Sequence, residues 1–142
     1  KQDQSTGVRW YAGTNGNTQA RGDGPYAGKA NTSIIIAAQV AIGDDGNTYA
    51  ARICNELQIT ENGKTYGDWY LPSFYELDQI SLNKATIDAT AIANGGSSFA
   101  SAGYWSSTEY PGDYAYYFNF YDGFAYLDYK TSTYRVRAIR AF

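Results

Sequence analysis

Residues 114–129 read YAYYFNFYDGFAYLDY, and this stretch decides the fold class. Aromatic side chains recur at every second position from Tyr114 to Phe120, as they do on one face of an extended strand. The pair Asp122-Gly123 interrupts the alternation and favours a two-residue hairpin turn in which both residues have positive φ. We therefore predict an antiparallel hairpin whose return strand is Phe124–Tyr129.

Helical signals lie upstream of this hairpin. Ser73 and Glu76 have the spacing of a capping box and predict a helix that begins at Phe74. Apolar residues at helical spacing predict a second helix over Thr48–Ile59, with one or two further turns over Ala85–Ala93. Residues 1–32 are predicted to form turns, with one short strand over Val8–Tyr11. The apolar run Ser33–Ile42 could be helix or strand. A last strand is predicted over Tyr134–Phe142. Helices in the middle and an antiparallel sheet at the end predict one α+β domain over residues 1–142.

The composition excludes several classes of protein. The chain has 142 residues, no His, no Met and a single cysteine, Cys54. Without His there is no Ser-His-Asp or Cys-His system and none of the usual zinc sites, and one cysteine cannot form an internal disulfide. The net charge is −3, and no apolar run approaches the roughly 20 residues that span a bilayer. We expect a soluble binding domain with no cofactor, no metal, no nucleic-acid partner and no membrane insertion.

Three motifs occur in a recognisable order. Residues 68–73 read DWYLPS and are followed by Glu76-Leu77, residues 104–108 read YWSST, and residues 134–140 read YRVRAIR. Over about residues 46 to 142, this sequence resembles the Lcl C-terminal domain family. Tyr70 stands where the family usually has Arg, and Ala138 stands where a Cys is common. The resemblance thus implies that any disulfide of other members is absent from this chain.

The resemblance implies a C-type-lectin-like fold, with two helices packed on a small antiparallel sheet and the two termini brought together. The family's type member is the C-terminal domain of a bacterial collagen-like adhesin. The resemblance therefore also implies a secreted or cell-surface location, a fragment of a longer surface protein, and a homotrimer. Its implied partner is a sulfated glycosaminoglycan. The Glu-Pro-Asn and Trp-Asn-Asp motifs of calcium-dependent lectins are missing, so we expect binding that does not need calcium.

Basic residues cluster late in the chain. Arg135 and Arg137 are two positions apart on a predicted strand, so their side chains leave one face about 7 Å apart. Guanidinium groups at this separation suit the sulfate or carboxylate groups of a polyanion. In the alternative interpretation they form ion pairs across the sheet with Asp122, Asp128 or Glu109. The full set of candidate ligand-binding residues is Arg135, Arg137, Arg140, Lys130 and Lys64.

Two other functions remain open. Residues 110–129 contain seven Tyr, and Tyr-rich surfaces are typical of adaptable protein-binding scaffolds of this fold class. A glycosidase with two carboxylates is possible in principle among the fourteen Asp and Glu residues, but no pair is marked as catalytic.

Several conspicuous residues have a structural interpretation that we favour over a functional one. Trp69 and Trp105 are expected in the core rather than on a sugar-stacking platform. Glu76 is expected to cap a helix, and Cys54 to be a small core residue. The tripeptide Arg-Gly-Asp at residues 21–23 is expected to form a turn rather than an integrin site.

Overall fold

A computed structural model describes residues 2–141, so Lys1 and Phe142, which ends the predicted last strand, lie outside the described residues. The helices and strands, in chain order, are β1 (Ser5–Val8), α1 (Ala27–Ile42), α2 (Ala50–Asn55), β2 (Ile59–Glu61), β3 (Lys64–Tyr66), α3 (Phe74–Leu82), α4 (Lys84–Ala93), β4 (Gly103–Tyr110), β5 (Tyr114–Asn119), β6 (Phe124–Tyr129) and β7 (Tyr134–Val136). The α+β class is confirmed. The described residues form four helices, two more than the implied architecture has.

The main sheet has five strands in the order β1-β7-β4-β5-β6. Strand β7 runs parallel to β4 and antiparallel to β1, so the sheet is mixed and the prediction of a purely antiparallel sheet is wrong. Ser5 of β1 pairs with Val136 of β7, which brings the two ends of the chain together as expected. The strand predicted over Val8–Tyr11 lies earlier in the chain, as β1 (Ser5–Val8). The strand predicted over Tyr134–Phe142 is shorter, as β7 (Tyr134–Val136).

The aromatic hairpin forms, but its turn differs from the predicted one. Asn119 pairs with Phe124, which leaves a turn of four residues, 120–123. Gly123 has φ 79° and its N–H donates to the Asn119 carbonyl at 2.8 Å, while Asp122 keeps a negative φ. The Asp122 carboxylate accepts from the Phe124 N–H at 3.1 Å. Asp122 therefore stabilises the turn through its side chain and not through the positive φ that was expected.

Helix α1 was not predicted as one element because its buried face is largely polar. The buried residues of this helix are Gly28, Asn31, Thr32, Ile35 and Gln39. Gln39 accepts a hydrogen bond from the Ala12 N–H at 2.7 Å, while the apolar Ile34 and Val40 are exposed. Polar side chains here satisfy loop backbone, so hydrophobic periodicity carries no helical signal in this segment.

The sheet separates two hydrophobic clusters. Trp105 packs with Val8 and Ile35 in a cluster that contacts α1 and α2 and also holds the buried Cys54. The neighbouring Tyr104 packs in a second cluster with Leu77 of α3. Because side chains alternate along a strand, each face of the sheet is covered by helices. The core interpretations of Trp105 and Cys54 are confirmed.

The predicted helix over Thr48–Ile59 is shorter than expected. Helix α2 ends at Asn55, and Ile59 already belongs to β2. Strands β2 and β3 form a separate two-stranded hairpin whose turn residues Asn62 and Gly63 both have positive φ. Ile59, Glu61 and Tyr66 of this hairpin form one wall of the site described next.

Candidate functional site

A cleft of about 490 Å³ opens between the β2–β3 hairpin, helices α3 and α4, and the chain that follows β7. Its lining combines aromatic and aliphatic surface with two arginines and one carboxylate, that of Glu61. The residues that matter most below are Tyr66, Trp69, Phe99, Arg137 and Arg140. We call this site the Tyr66 cleft.

Two of the predicted binding residues meet at Tyr66. The Arg140 Cζ lies 4.2 Å from the centre of the Tyr66 ring, and the Lys64 Nζ lies 5.1 Å from it. Trp69 lies next to this group, with its ring centre 5.9 Å from the Arg140 Cζ and its Nε1 donating to the Tyr66 carbonyl at 2.9 Å. Trp69 is partly buried and packs against the core cluster that holds Trp105, so the core interpretation holds in part, and its ring also lines the cleft. The fold thus places two cations near the Tyr66 ring, with Arg140 in the lining of the cleft and Lys64 outside that lining.

Arg140 also forms an ion pair at the surface. Its Nη2 donates to the Asp68 carboxylate at 3.0 Å, and its Nε lies 2.9 Å from the other carboxylate oxygen. The Arg140 side chain is 20% exposed and that of Asp68 is 42% exposed. The guanidinium lowers the pKa of Asp68 through its hydrogen bond, so this carboxylate is charged at neutral pH.

The structure buries Arg137 and pairs it internally. Its Nε donates to Asp3 at 2.7 Å, its Nη1 donates to the Ser97 carbonyl at 2.9 Å, and its Cζ lies 4.0 Å from the centre of the Phe99 ring. Arg135 leaves the same face of β7 and donates to the same Asp3 at 3.0 Å. The ion-pair alternative therefore holds, but with Asp3 as the partner. Alanine at Arg137 would test folding rather than binding.

Lys130 does not belong to a surface patch. Its side chain is fully buried, and its Nζ donates to Glu109 at 2.8 Å and to the carbonyls of Gly16 and Gly112 at 3.0 and 2.7 Å. The Nζ also lies 5.1 Å from the centre of the Trp10 ring. Lys130 was predicted as a ligand-binding residue, but its side chain is fully buried and paired with Glu109, so it does not face a ligand at the surface.

Glu76 fixes the loop that carries Asp68 and Trp69 into the cleft. The capping box forms, with Glu76 accepting from the Ser73 N–H at 2.8 Å. The same carboxylate accepts from the N–H groups of Tyr26 and Gly28 at 3.0 and 3.1 Å, and from the Tyr70 hydroxyl at 3.0 Å. Burial and the nearby carboxylate raise the pKa of Tyr70. Glu76 is thus the expected cap of α3, and its hydrogen bonds also join the start of α1 to the start of α3.

The Arg-Gly-Asp tripeptide is tied into the fold. The Asp23 carboxylate accepts from the Tyr75 N–H at 2.8 Å, at the start of α3. Gly22 exchanges hydrogen bonds with the Asn31 side chain, at 3.0 and 2.7 Å. These contacts give the segment a structural role within the fold.

Large apolar side chains are also exposed on both faces of the β5–β6 hairpin and at the end of β4. Phe124 and Tyr126 leave one face, whereas Tyr110, Leu127 and Tyr129 leave the other. These side chains are between 41% and 80% exposed, and Tyr121 at the turn is the most exposed of them. We call these residues the tyrosine surface: Tyr110, Tyr121, Phe124, Tyr126, Leu127 and Tyr129.

Two further properties concern metals and membranes. Among residues 2–141, no group of three or more His, Cys, Asp or Glu side chains is arranged to hold a metal ion. No helix in the same part of the chain has the length and apolar character of a membrane span.

Sequence reasoning missed Tyr66 and Asp68 as parts of the site. The pair Asn62-Gly63 is a strong two-residue hairpin signal, but no strand is predicted on either side of it. Recognition of that hairpin would have paired Ile59 with Tyr66, as the structure does. No local sequence pattern predicts that Tyr66 and Arg140 lie close together in the fold.

Comparison with known proteins adds a family. The family model of the Lcl C-terminal domain matches residues 1–140. The match includes the first 45 residues, to which the motif resemblance did not extend. No curated protein and no solved structure matches the chain significantly. Since the family model covers nearly the whole chain, the protein belongs to the Lcl C-terminal domain family, an adhesin-related family in which a surface or secreted location is typical.

Proposed function

We propose that this domain binds sulfated polysaccharide in the Tyr66 cleft, without calcium. The observation that carries the proposal is the meeting of Lys64 and Arg140 at the Tyr66 ring. Aromatic rings offer flat apolar surface to the C–H faces of sugars, and guanidinium and ammonium groups bind sulfate directly. A site with both features suits a charged sugar better than a neutral sugar or a simple anion. No catalytic step is part of the proposal.

The other predicted basic residues support the site in different ways. Arg137 closes one wall of the cleft and is held by Asp3, so it contributes positive potential without a free edge. Arg135 is 30% exposed and shares Asp3, and a long polysaccharide that leaves the cleft would meet it. We therefore propose Lys64 and Arg140 as direct contacts, with Arg135 as a peripheral one.

We propose that residues 1–142 form one C-type-lectin-like domain that assembles as a homotrimer. Support for assembly comes from helix α1, which buries one face in the fold and leaves the apolar side chains of Ile34, Val40 and Ile42 exposed. Three cleft copies around one axis would raise affinity for a long chain by about two to four orders of magnitude.

Light scattering tests the assembly. At micromolar concentration we expect a mass near three times 15.6 kDa. Val40→Glu, which puts a charge on the exposed face of α1, is expected to shift the mass toward that of a monomer, because a buried unpaired charge destabilises an interface. A monomeric wild-type protein at this concentration would contradict the trimer.

The tyrosine surface supports a second candidate, a protein-binding display scaffold. Exposed Tyr and Phe side chains supply large contact area at low entropic cost. Strand β6 is also the edge of the sheet, where a partner could approach. Binding of this kind would depend weakly on salt, whereas polyanion binding falls steeply with salt.

Replacement of Arg140 by Gln is the mapping experiment for the first proposal. We expect the variant to bind heparin more weakly by about 1–3 kcal/mol, because charged hydrogen bonds to sulfate are lost. Arg21→Gln is the matched control, since Arg21 is exposed but borders a different groove. Binding would be measured by calorimetry with a chelator present and absent. Equal losses for the two variants would contradict the assignment of the site to the Tyr66 cleft.

A further inference from the structure

The Asp68 carboxylate occupies the binding edge of Arg140. Two oxygens of Asp68 lie 3.0 and 2.9 Å from two nitrogens of the guanidinium, which is how a ligand sulfate or carboxylate would be placed. The rings of Tyr66 and Trp69 also lie next to the Arg140 guanidinium. An anion that reaches Arg140 along this edge must therefore displace Asp68.

We propose that Asp68 is an internal competitor that makes the cleft select heavily sulfated chains over chains that carry only carboxylates. This inference rests on the proposed function. Asp68 is chemically a carboxylate, and because it is tethered beside Arg140 its effective concentration is on the order of millimolar. A polysaccharide that offers single carboxylates competes with an equivalent group that is already in place.

A heavily sulfated chain is different because it contacts several cations at once. Sulfates on neighbouring sugars can reach Lys64 while one replaces Asp68 at Arg140, since both cations lie at the Tyr66 ring. Release of counterions from a dense polyanion adds further favourable free energy. The exposed Asp68–Arg140 pair is weak enough to open, since surface ion pairs contribute little to stability. Asp68 thus acts as a specificity-determining residue.

The test compares Asp68→Asn with the wild-type protein on two probes, heparin and hyaluronan, which has carboxylates and no sulfates. We expect the variant to bind hyaluronan roughly fivefold more tightly and heparin by about twofold, the range that corresponds to an exposed ion pair. Glu56→Gln is the control, because it makes the same charge change and releases Arg52 from an exposed pair outside the cleft. Asp68→Ser is a second variant that removes the carboxylate with a smaller side chain.

The same measurement in an Arg140→Gln background isolates the mechanism. The gain from Asp68→Asn should disappear there, because no guanidinium remains to be released. A gain in affinity that persists in the Arg140→Gln background, or that equals the gain for Glu56→Gln, would overturn the inference. In that case heparin binding by the wild-type protein would still uphold the proposed function. If no variant binds heparin at all, both the proposed function and this inference are overturned.

Discussion

Replacement of Lys130 by Met is expected to lower the free energy of unfolding by about 3–5 kcal/mol, the range found when one partner of a buried ion pair is removed. Lys130 and Glu109 are both fully buried, 2.8 Å apart. Glu109 also accepts from the N–H groups of Thr18 and Gln19 at 2.7 and 2.8 Å, so it cannot move toward solvent without breaking the loop before α1. The variant would leave a carboxylate without its counter-charge in the core.

Urea denaturation followed by tryptophan fluorescence measures this effect. Lys64→Met is the control, because Lys64 is exposed and its replacement should change stability by less than about 0.5 kcal/mol. Adding Glu109→Gln to the Lys130 variant should recover part of the loss, since a neutral amide can still accept from Thr18. A loss under about 1 kcal/mol for Lys130→Met would show that this pair is not buried as described.

Replacement of Glu76 by Gln is expected to lower the free energy of unfolding by about 2–3 kcal/mol. The reason is that the amide places a hydrogen-bond donor where the carboxylate accepted hydrogen bonds. One carboxylate oxygen receives the N–H groups of Ser73 and Gly28, and the other receives the Tyr26 N–H and the Tyr70 hydroxyl. Either orientation of the amide opposes at least one backbone donor. The fit leaves little room, since a Cβ on Gly28 would lie 2.6 Å from the Leu71 carbonyl oxygen.

Glu56→Gln is the control for Glu76→Gln, since it removes the same charge from an exposed pair with Arg52. Its expected effect on the free energy of unfolding is below about 0.5 kcal/mol. The Glu76 variant should also bind heparin more weakly at temperatures where it remains folded, because the loop that carries Trp69 loses its anchor. Equal stability of the two variants would contradict the role of Glu76 in joining α1 to α3.

Local signals were enough for the elements that neighbouring residues determine. The capping box of Ser73 and Glu76 places the start of α3 correctly, since both partners lie within one helical turn. The aromatic alternation from Tyr114 identifies the β5–β6 hairpin, because strand periodicity is a property of adjacent residues. The alternation does not indicate which of these tyrosines are exposed, because aromatic residues lie on both faces of the hairpin.

Interactions across long sequence separations could not be predicted in this way. The buried face of helix α1 consists largely of polar residues such as Gln39, whose hydrogen-bond partner Ala12 lies in a loop. The late arginines were expected to bind a polyanion or, in the alternative, to pair with acids of the sheet, but Asp3 reaches Arg135 and Arg137 from the opposite end of the chain. A basic residue in sequence gives no sign of whether its partner is solvent, a ligand or a buried acid.

The candidate site was predicted in part for the same reason. Lys64 and Arg140 were chosen individually as basic residues, and only the fold brings them to one ring. Tyr66 and Asp68 gain their importance from that meeting. Lys130 lies directly after β6 with its side chain fully buried, and its ammonium group is paired inside the fold with Glu109 of β4.

Binding to immobilised heparin across a salt series, beside a desulfated heparin, tests the central claim most directly. The account predicts binding at low salt that requires sulfate and falls steeply as salt rises, since contacts to a polyanion release counterions. Equal binding of both polymers, or no binding at low salt, would contradict it and would make the tyrosine surface the leading candidate for recognition.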